Sequence, residues 1–138
     1  MDSREATPAR RVAMNPPSVP PPIRGYYSNC VRVRAGSMLF ISGQIGTDVN
    51  GNVVSKDVAL QADQALRNIE LLLRANGATM ADIVKVTVYV TDIRYLDEIA
   101  PVRLKYFPEN GPASAIVEVS GLALPGLKVE IEAIAAVD

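Results

Sequence analysis

The chain offers a short list of groups for chemistry. Among its 138 residues there is no histidine and one cysteine, Cys30. That excludes Ser-His-Asp and Cys-His nucleophile systems, histidine-ligated metals, thiolate clusters and an intrachain disulfide. What remains is carboxylates, hydroxyls, tyrosines, arginines, backbone amides and water. These groups gather in strand-like runs towards the C-terminal half. Lys85, Thr87, Tyr89, Ser114, Ile116, Glu118, Glu130 and Ile134 fall on alternate positions and are expected to share one sheet face. A solvated face would hold fewer apolar residues, and a core would hold fewer carboxylates. A mixed face of this kind suits a wet subunit interface or a ligand site. The expectation is a homo-oligomer that buries it.

Charge narrows the partners. Lys plus Arg number 14 against 15 Asp plus Glu, a formal charge of −1, which argues against a sequence-independent grip on nucleic acid. No apolar run approaches the ~18 residues of a membrane span, and the N-terminus lacks an apolar signal core. No membrane association is expected. With a lone cysteine, these features point to the cytoplasm.

Periodicity supplies the elements that must hold the face in place. Six of the ten prolines lie in residues 1–22, at positions 8, 16, 17, 20, 21 and 22. That stretch reads as a flexible, polyproline-like tail, leaving one domain over 23–138. Val31–Arg34 and Met38–Ser42 flank a Gly36-Ser37 turn and read as a hairpin. A helix starts at Asp57, a good N-cap. Val58, Ala62, Ala65, Leu66, Ile69, Leu72 and Leu73 form its apolar stripe, and Asn76-Gly77 ends it. Ile83–Thr91 alternates as a strand with Val84, Val86, Val88 and Val90 inward. A short helix spans Pro101–Phe107, with proline in its first turn. Strands at Ala115–Val119 and Leu127–Val137 complete the order β-β-α-β-α-β-β, an α+β sandwich with two helices on one face of a mixed sheet.

Several segments together resemble one family. They are Tyr27-Ser28-Asn29-Cys30-Val31, Phe40-Ile41-Ser42-Gly43-Gln44-Ile45, Arg74-Ala75-Asn76-Gly77-Ala78, the run from Asp82 to Val90, Tyr106-Phe107, and Val129-Glu130-Ile131-Glu132-Ala133-Ile134-Ala135. Over residues 26–138 the chain is similar to the Rid (reactive intermediate deaminase, YjgF-like) superfamily. The resemblance implies a chorismate-mutase-like fold and a homotrimer, with small-molecule clefts between subunits. It also implies water-driven hydrolysis of a reactive imine or enamine, such as 2-aminoacrylate or the longer 2-aminomuconate, without metal or organic cofactor.

The resemblance also assigns roles. Glu130 matches the glutamate that positions or activates water, a task suited to a half-buried carboxylate. Ser42 and Gly43 match the strand end that lines the cleft, and Tyr27 matches the cleft tyrosine. Ser114 and Ile116 mark departures. Deaminase relatives carry an arginine directly after Pro-Ala that clamps the substrate carboxylate, and Ser114 cannot supply its bidentate fork. Ile116 replaces a small or thiol residue. Near the second helix an expected Asn is replaced by Ala100 or Pro101. Arg103 is a candidate replacement cation, although no spacing rule requires it, and putting arginine at 114 should raise turnover of acid imines if the clamp is the main deficit. Cys30 reads as a small, half-buried residue, and Arg32 with Arg34 as solvated charge on an edge strand.

Three functions follow. One is a Rid-like deaminase with altered substrate choice. Another is a non-catalytic trimeric binder of small metabolites with the same cleft. The third, an endoribonuclease, is the least favoured because the charge balance offers RNA no basic stripe.

Overall fold

Three of the expected elements organise everything else in the computed structural model, which describes residues 10–34 and 36–138. The first is a helix, α1, over Val58–Ala75. The Asp57 side chain accepts a 3.0 Å hydrogen bond from the Ala59 backbone N–H, and Asn76 closes the other end ahead of Gly77 at φ 69°. The other two are long strands, here numbered with the rest in chain order: β3 (Ser37–Ile45) and β6 (Val129–Val137).

The remaining elements are β1 (Arg11–Met14), β2 (Cys30–Val33), β4 (Ile83–Val90), helix α2 (Leu96–Tyr106) and β5 (Ala113–Glu118). Four strands form one sheet in the order β3-β6-β4-β5. The β3–β6 and β6–β4 pairs are antiparallel, and β4–β5 is parallel. Both helices cover one face. Beneath them lies the core: Ala62, Ala65, Leu66, Ile69 and Leu73 of α1, Ile99 of α2, and Ile83, Val86, Val88, Val90, Val129, Ile131, Ala133 and Ala135 of the sheet. This is the two-layer α+β sandwich expected from the sequence. Among the described residues no helix is long and apolar enough to cross a membrane.

Several boundaries differ from the sequence reading, each for a local reason. The expected β2–β3 hairpin does not form. β2 pairs with β1 in a separate two-stranded sheet, while β3 pairs with β6. So residues 11–14, expected within a polyproline-like tail, are a strand. Their prolines lie outside Arg11–Met14, and alternation over four residues is too short to stand out beside them. Residues 1–9 of that expected tail lie outside the described residues.

Helix α2 begins at Leu96, five residues before Pro101. Pro101 therefore stands inside the helix rather than in its first turn, and it leaves the carbonyl of Asp97 without its intrahelical donor. In β4, register shifts between Ile83 and Lys85. Val84 is the extra residue of a bulge, and Ile83 takes its place in the core.

Candidate functional site

The mixed outer face is rearranged by strand register. Residues paired across neighbouring strands share a face. On β5, Ser114 pairs with Val86, Ile116 with Val88 and Glu118 with Val90. Those valines face the helices, so Ser114, Ile116 and Glu118 lie on the helix side. This corrects the expectation that they join Lys85, Thr87 and Tyr89. Ala113, Ala115 and Val117 stand there instead, because the parallel pairing of β5 is offset by one residue from the alternation first assumed.

Two separate groups of candidate residues result. The first sits where β3 and β6 pair. Between Ile41 and Gln44 the register slips, so Ser42 and Gly43 together oppose Glu132 in a bulge. Glu130 reaches back over this bulge. A methyl group on Gly43 would stand 2.7 Å from Glu130 Cδ and 2.9 Å from its Cγ, so only glycine leaves room for the carboxylate. Glu130 has no salt bridge among the described residues. Alongside, Tyr89 donates its phenol O–H to Glu132 Oε1 at 2.5 Å. That bond, with some desolvation, pushes the Tyr89 phenol above its usual range, so it remains the donor at neutral pH. Ser42 opens onto a concavity of about 290 Å³ on the outer face, shared with Phe40, Lys85, Thr87, Glu132 and Ile134.

A polar residue that the sequence reading passed over holds this group in position. Gln61 is fully buried on the inner stripe of α1. Its amide donates to the carbonyls of Ser55 (2.8 Å) and Gly126 (2.9 Å), and its oxygen accepts from the Lys128 backbone N–H at 2.8 Å. That fastens the start of β6, two residues before Glu130, to the helix. The signal was present: a glutamine three residues after Val58 and four before Ala65 lies on an apolar stripe. Leu72, expected on that stripe, is exposed.

The second group surrounds a cleft of about 180 Å³ at the other sheet edge, lined by Tyr26, Tyr27, Arg103, Ser114 and Ile116 among others. Tyr27 is half-buried and its hydroxyl accepts from the Ile23 backbone N–H at 3.1 Å. Its neighbour Tyr26 is buried, with ring centroids 6.0 Å apart. The tyrosine segment is seated on the start of β5. Ser28 N–H donates to the Pro112 carbonyl at 3.1 Å, and a methyl group on Gly111 would lie 2.6 Å from the Tyr26 carbonyl carbon, so a larger residue would lift the segment away. Arg103, only 2% exposed, places its guanidinium 4.1 Å from the Tyr26 ring centre and donates to Ser114 Oγ at 2.6 Å. Burial lowers its pKa, and Tyr26 partly offsets this.

The N-terminal arginines are structural. Arg10 donates to the Ala136 carbonyl at 2.6 Å and pairs with Asp82, while Arg11 donates to the carbonyls of Ile83 and Asn110. Cys30 is exposed rather than half-buried, because its neighbour across the strand pair is the exposed Met14 at the end of β1. Arg32 on β2 and Arg34 just beyond its end are exposed, as expected for edge-strand charge.

Glu130, Ser42 and Gly43 therefore stand apart from Tyr27, Ser114 and Ile116. β3 and β5 are three strand spacings apart, about 14 Å, and Glu130 and Ser114 face opposite sides of the sheet. Fold and geometry define a class: a small α+β domain with a mixed four-stranded sheet, here with its candidate residues in two separate groups. A solved structure of this class is the conserved Rid family protein YyfB of Yersinia pestis, which matches with a TM-score of 0.87 and 32% identity, covering 94% of this chain and all of that one. A family model described as endoribonuclease L-PSP matches residues 18–137. A RutC family protein of Pyrococcus horikoshii is 43% identical over 119 residues, 86% of this chain and 91% of that protein. The human 2-iminobutanoate/2-iminopropanoate deaminase is 42% identical over 113 residues, 80% of each chain. The chain belongs to the YjgF/Rid family.

Proposed function

We propose that this protein hydrolyses a reactive imine or enamine metabolite in a cleft assembled between subunits. The observation that carries the reading is the Glu130 carboxylate lying over Gly43, without a paired cation among the described residues, beside the edge strand of the sheet. A carboxylate so placed takes a proton from water as the water oxygen bonds to the imine carbon and passes it to the nitrogen, which receives the C=N π pair, giving a carbinolamine; it then carries the hydroxyl proton to the nitrogen as the C=O bond forms and the C–N bond breaks. The balance is R₂C=NH + H₂O → R₂C=O + NH₃. The human relative named 2-iminobutanoate/2-iminopropanoate deaminase supports a 2-imino acid as substrate.

Assembly is part of the reading. A head-to-tail ring closes with one edge of each subunit against the other edge of the next, which brings a Glu130 half-site to a neighbour's Ser114 half-site. The outer face of one chain favours such burial: Phe40 is 76% exposed with Met38 exposed beside it on β3, and Val117 is exposed on β5 at the other edge. A homotrimer fits both requirements.

The test uses imines generated from several amino acids by an amino-acid oxidase, with 2-aminomuconate added to the panel, and follows their decay. Wild-type protein is expected to accelerate decay of at least one, and Glu130→Gln to lower that rate by about 100-fold or more. Decay unaffected by wild-type protein throughout the panel would overturn the deaminase reading. Sedimentation as a monomer at micromolar concentration would overturn the assembly.

A further inference from the structure

Arg103 is a buried cation without an anion among the described residues. Five arginines have carboxylate partners: Arg10 with Asp82, Arg24 with Asp97, Arg67 and Arg74 with Glu70, and Arg94 with Asp92 among the described residues. Arg11 is satisfied by two backbone carbonyls. Arg103 meets only neutral groups among the described residues, the Ser114 hydroxyl and Tyr26. A guanidinium cannot neutralise itself by losing a proton, so holding it 2% exposed without an opposite charge is costly. The cost is relieved when an anion enters the space beside it.

That space is the 180 Å³ cleft, and its other walls are largely apolar: Ile23, Leu96 and Ile116 with the tyrosine rings. Arg24 also lines it but is committed to Asp97 at 2.8 Å. A planar fork backed by an aromatic ring and flanked by aliphatic groups fits a small carboxylic acid with a short apolar tail. Ser114 becomes intelligible in the same terms. It accepts from one guanidinium nitrogen and fixes the plane of the fork.

We infer that Arg103 is the carboxylate-binding residue of this protein, reaching from helix α2 to the position where the resemblance leads one to expect an arginine on β5. This rests on the deaminase reading for the identity of the acid, but not for its binding.

The test is a binding titration of wild-type protein with 2-oxobutanoate and, separately, with its methyl ester, by calorimetry. The acid is expected to bind at least about tenfold more tightly than the ester. Arg103→Met should remove that preference by weakening the acid alone, and Arg103→Lys should retain part of it. Thermal unfolding checks that each variant folds. Should Arg103→Met fail to fold, the wild-type acid-to-ester ratio and Arg103→Lys decide. Equal binding of acid and ester, absence of acid binding at millimolar concentration, or undiminished acid binding by a folded Arg103→Met protein would each overturn the inference. No turnover is required, so acid binding through Arg103 without imine hydrolysis would sink the deaminase reading alone.

Discussion

Glu130 and Gly43 form a carboxylate-on-glycine contact at the bulge of β3, where an added methyl group would lie 2.7 Å from Glu130 Cδ. Gly43→Ala should displace the carboxylate rather than the backbone, because the colliding atoms belong to a flexible side chain. Imine hydrolysis should fall by at least about tenfold while stability changes by no more than about 0.5 kcal/mol. Combining Gly43→Ala with Glu130→Gln should lower the rate little below Glu130→Gln alone. Full activity in folded Gly43→Ala protein would remove Glu130 from the chemistry.

Two half-sites on opposite edges predict complementation. Glu130→Gln and Arg103→Met proteins, each weak alone, should regain activity when unfolded and reassembled together. Random mixing in a head-to-tail ring joins two intact halves at about one site in four, so about a quarter of wild-type turnover is expected. Recovery no greater than the sum of the separate variants would show that one chain supplies the whole site.

Much of this arrangement was legible in the sequence, and the limits are specific. Helix α1 and the β6 alternation declared themselves because their periods run long enough to fix face and ends. The half-sites did not separate, because local alternation cannot set the relative register of two strands. Lys85 and Ser114 each stand on the polar positions of an alternating run, yet the parallel pairing puts Ser114 opposite Val86. Arg103 was obscured by starting its helix at Pro101. With the true start at Leu96, the series Leu96, Ile99, Arg103 and Phe107 shows an arginine on an otherwise apolar stripe.

The same register reverses an expectation about position 114. An arginine there was expected to restore acid turnover. Arg103 Nη2 already lies 2.6 Å from Ser114 Oγ, so Ser114→Arg sets two guanidiniums against each other in a buried cleft. It should lower stability by about 1–3 kcal/mol without tightening acid binding, as read by denaturant unfolding and calorimetry. The double variant Arg103→Met, Ser114→Arg should recover part of both.

Gln61 makes three hydrogen bonds to backbone groups from a fully buried position. Gln61→Leu leaves those groups unsatisfied and should cost about 2–4 kcal/mol. Hydrogen exchange should report the loss at Lys128, whose N–H has Gln61 Oε1 as acceptor.

Acid titration offers a check at the entry to α2. The Arg94 guanidinium and backbone N–H hold the Asp92 carboxyl down at about 2 from an ordinary 3.8. A depressed folded value means that its contribution is complete above about 3.8 and fades as pH falls through about 2. Exposure of Arg94 keeps that contribution small. Carbon NMR of the Asp92 carboxyl should show a midpoint near 2, and Arg94→Ala should return it towards the usual carboxylate range.

Residues 15–29 leave Met14 and return at Cys30, which are paired neighbours on β1 and β2. A loop of this length with its ends side by side is an Ω-loop, and it delivers Ile23, Tyr26 and Tyr27 to the cleft. Arg10 and Arg11 moor its leading strand to the sheet. One wall of the proposed acid cleft is thus a single continuous block of sequence, separate from the Glu130 bulge. Changes confined to that block would reshape the cleft and leave the Gly43–Glu130 contact as it is.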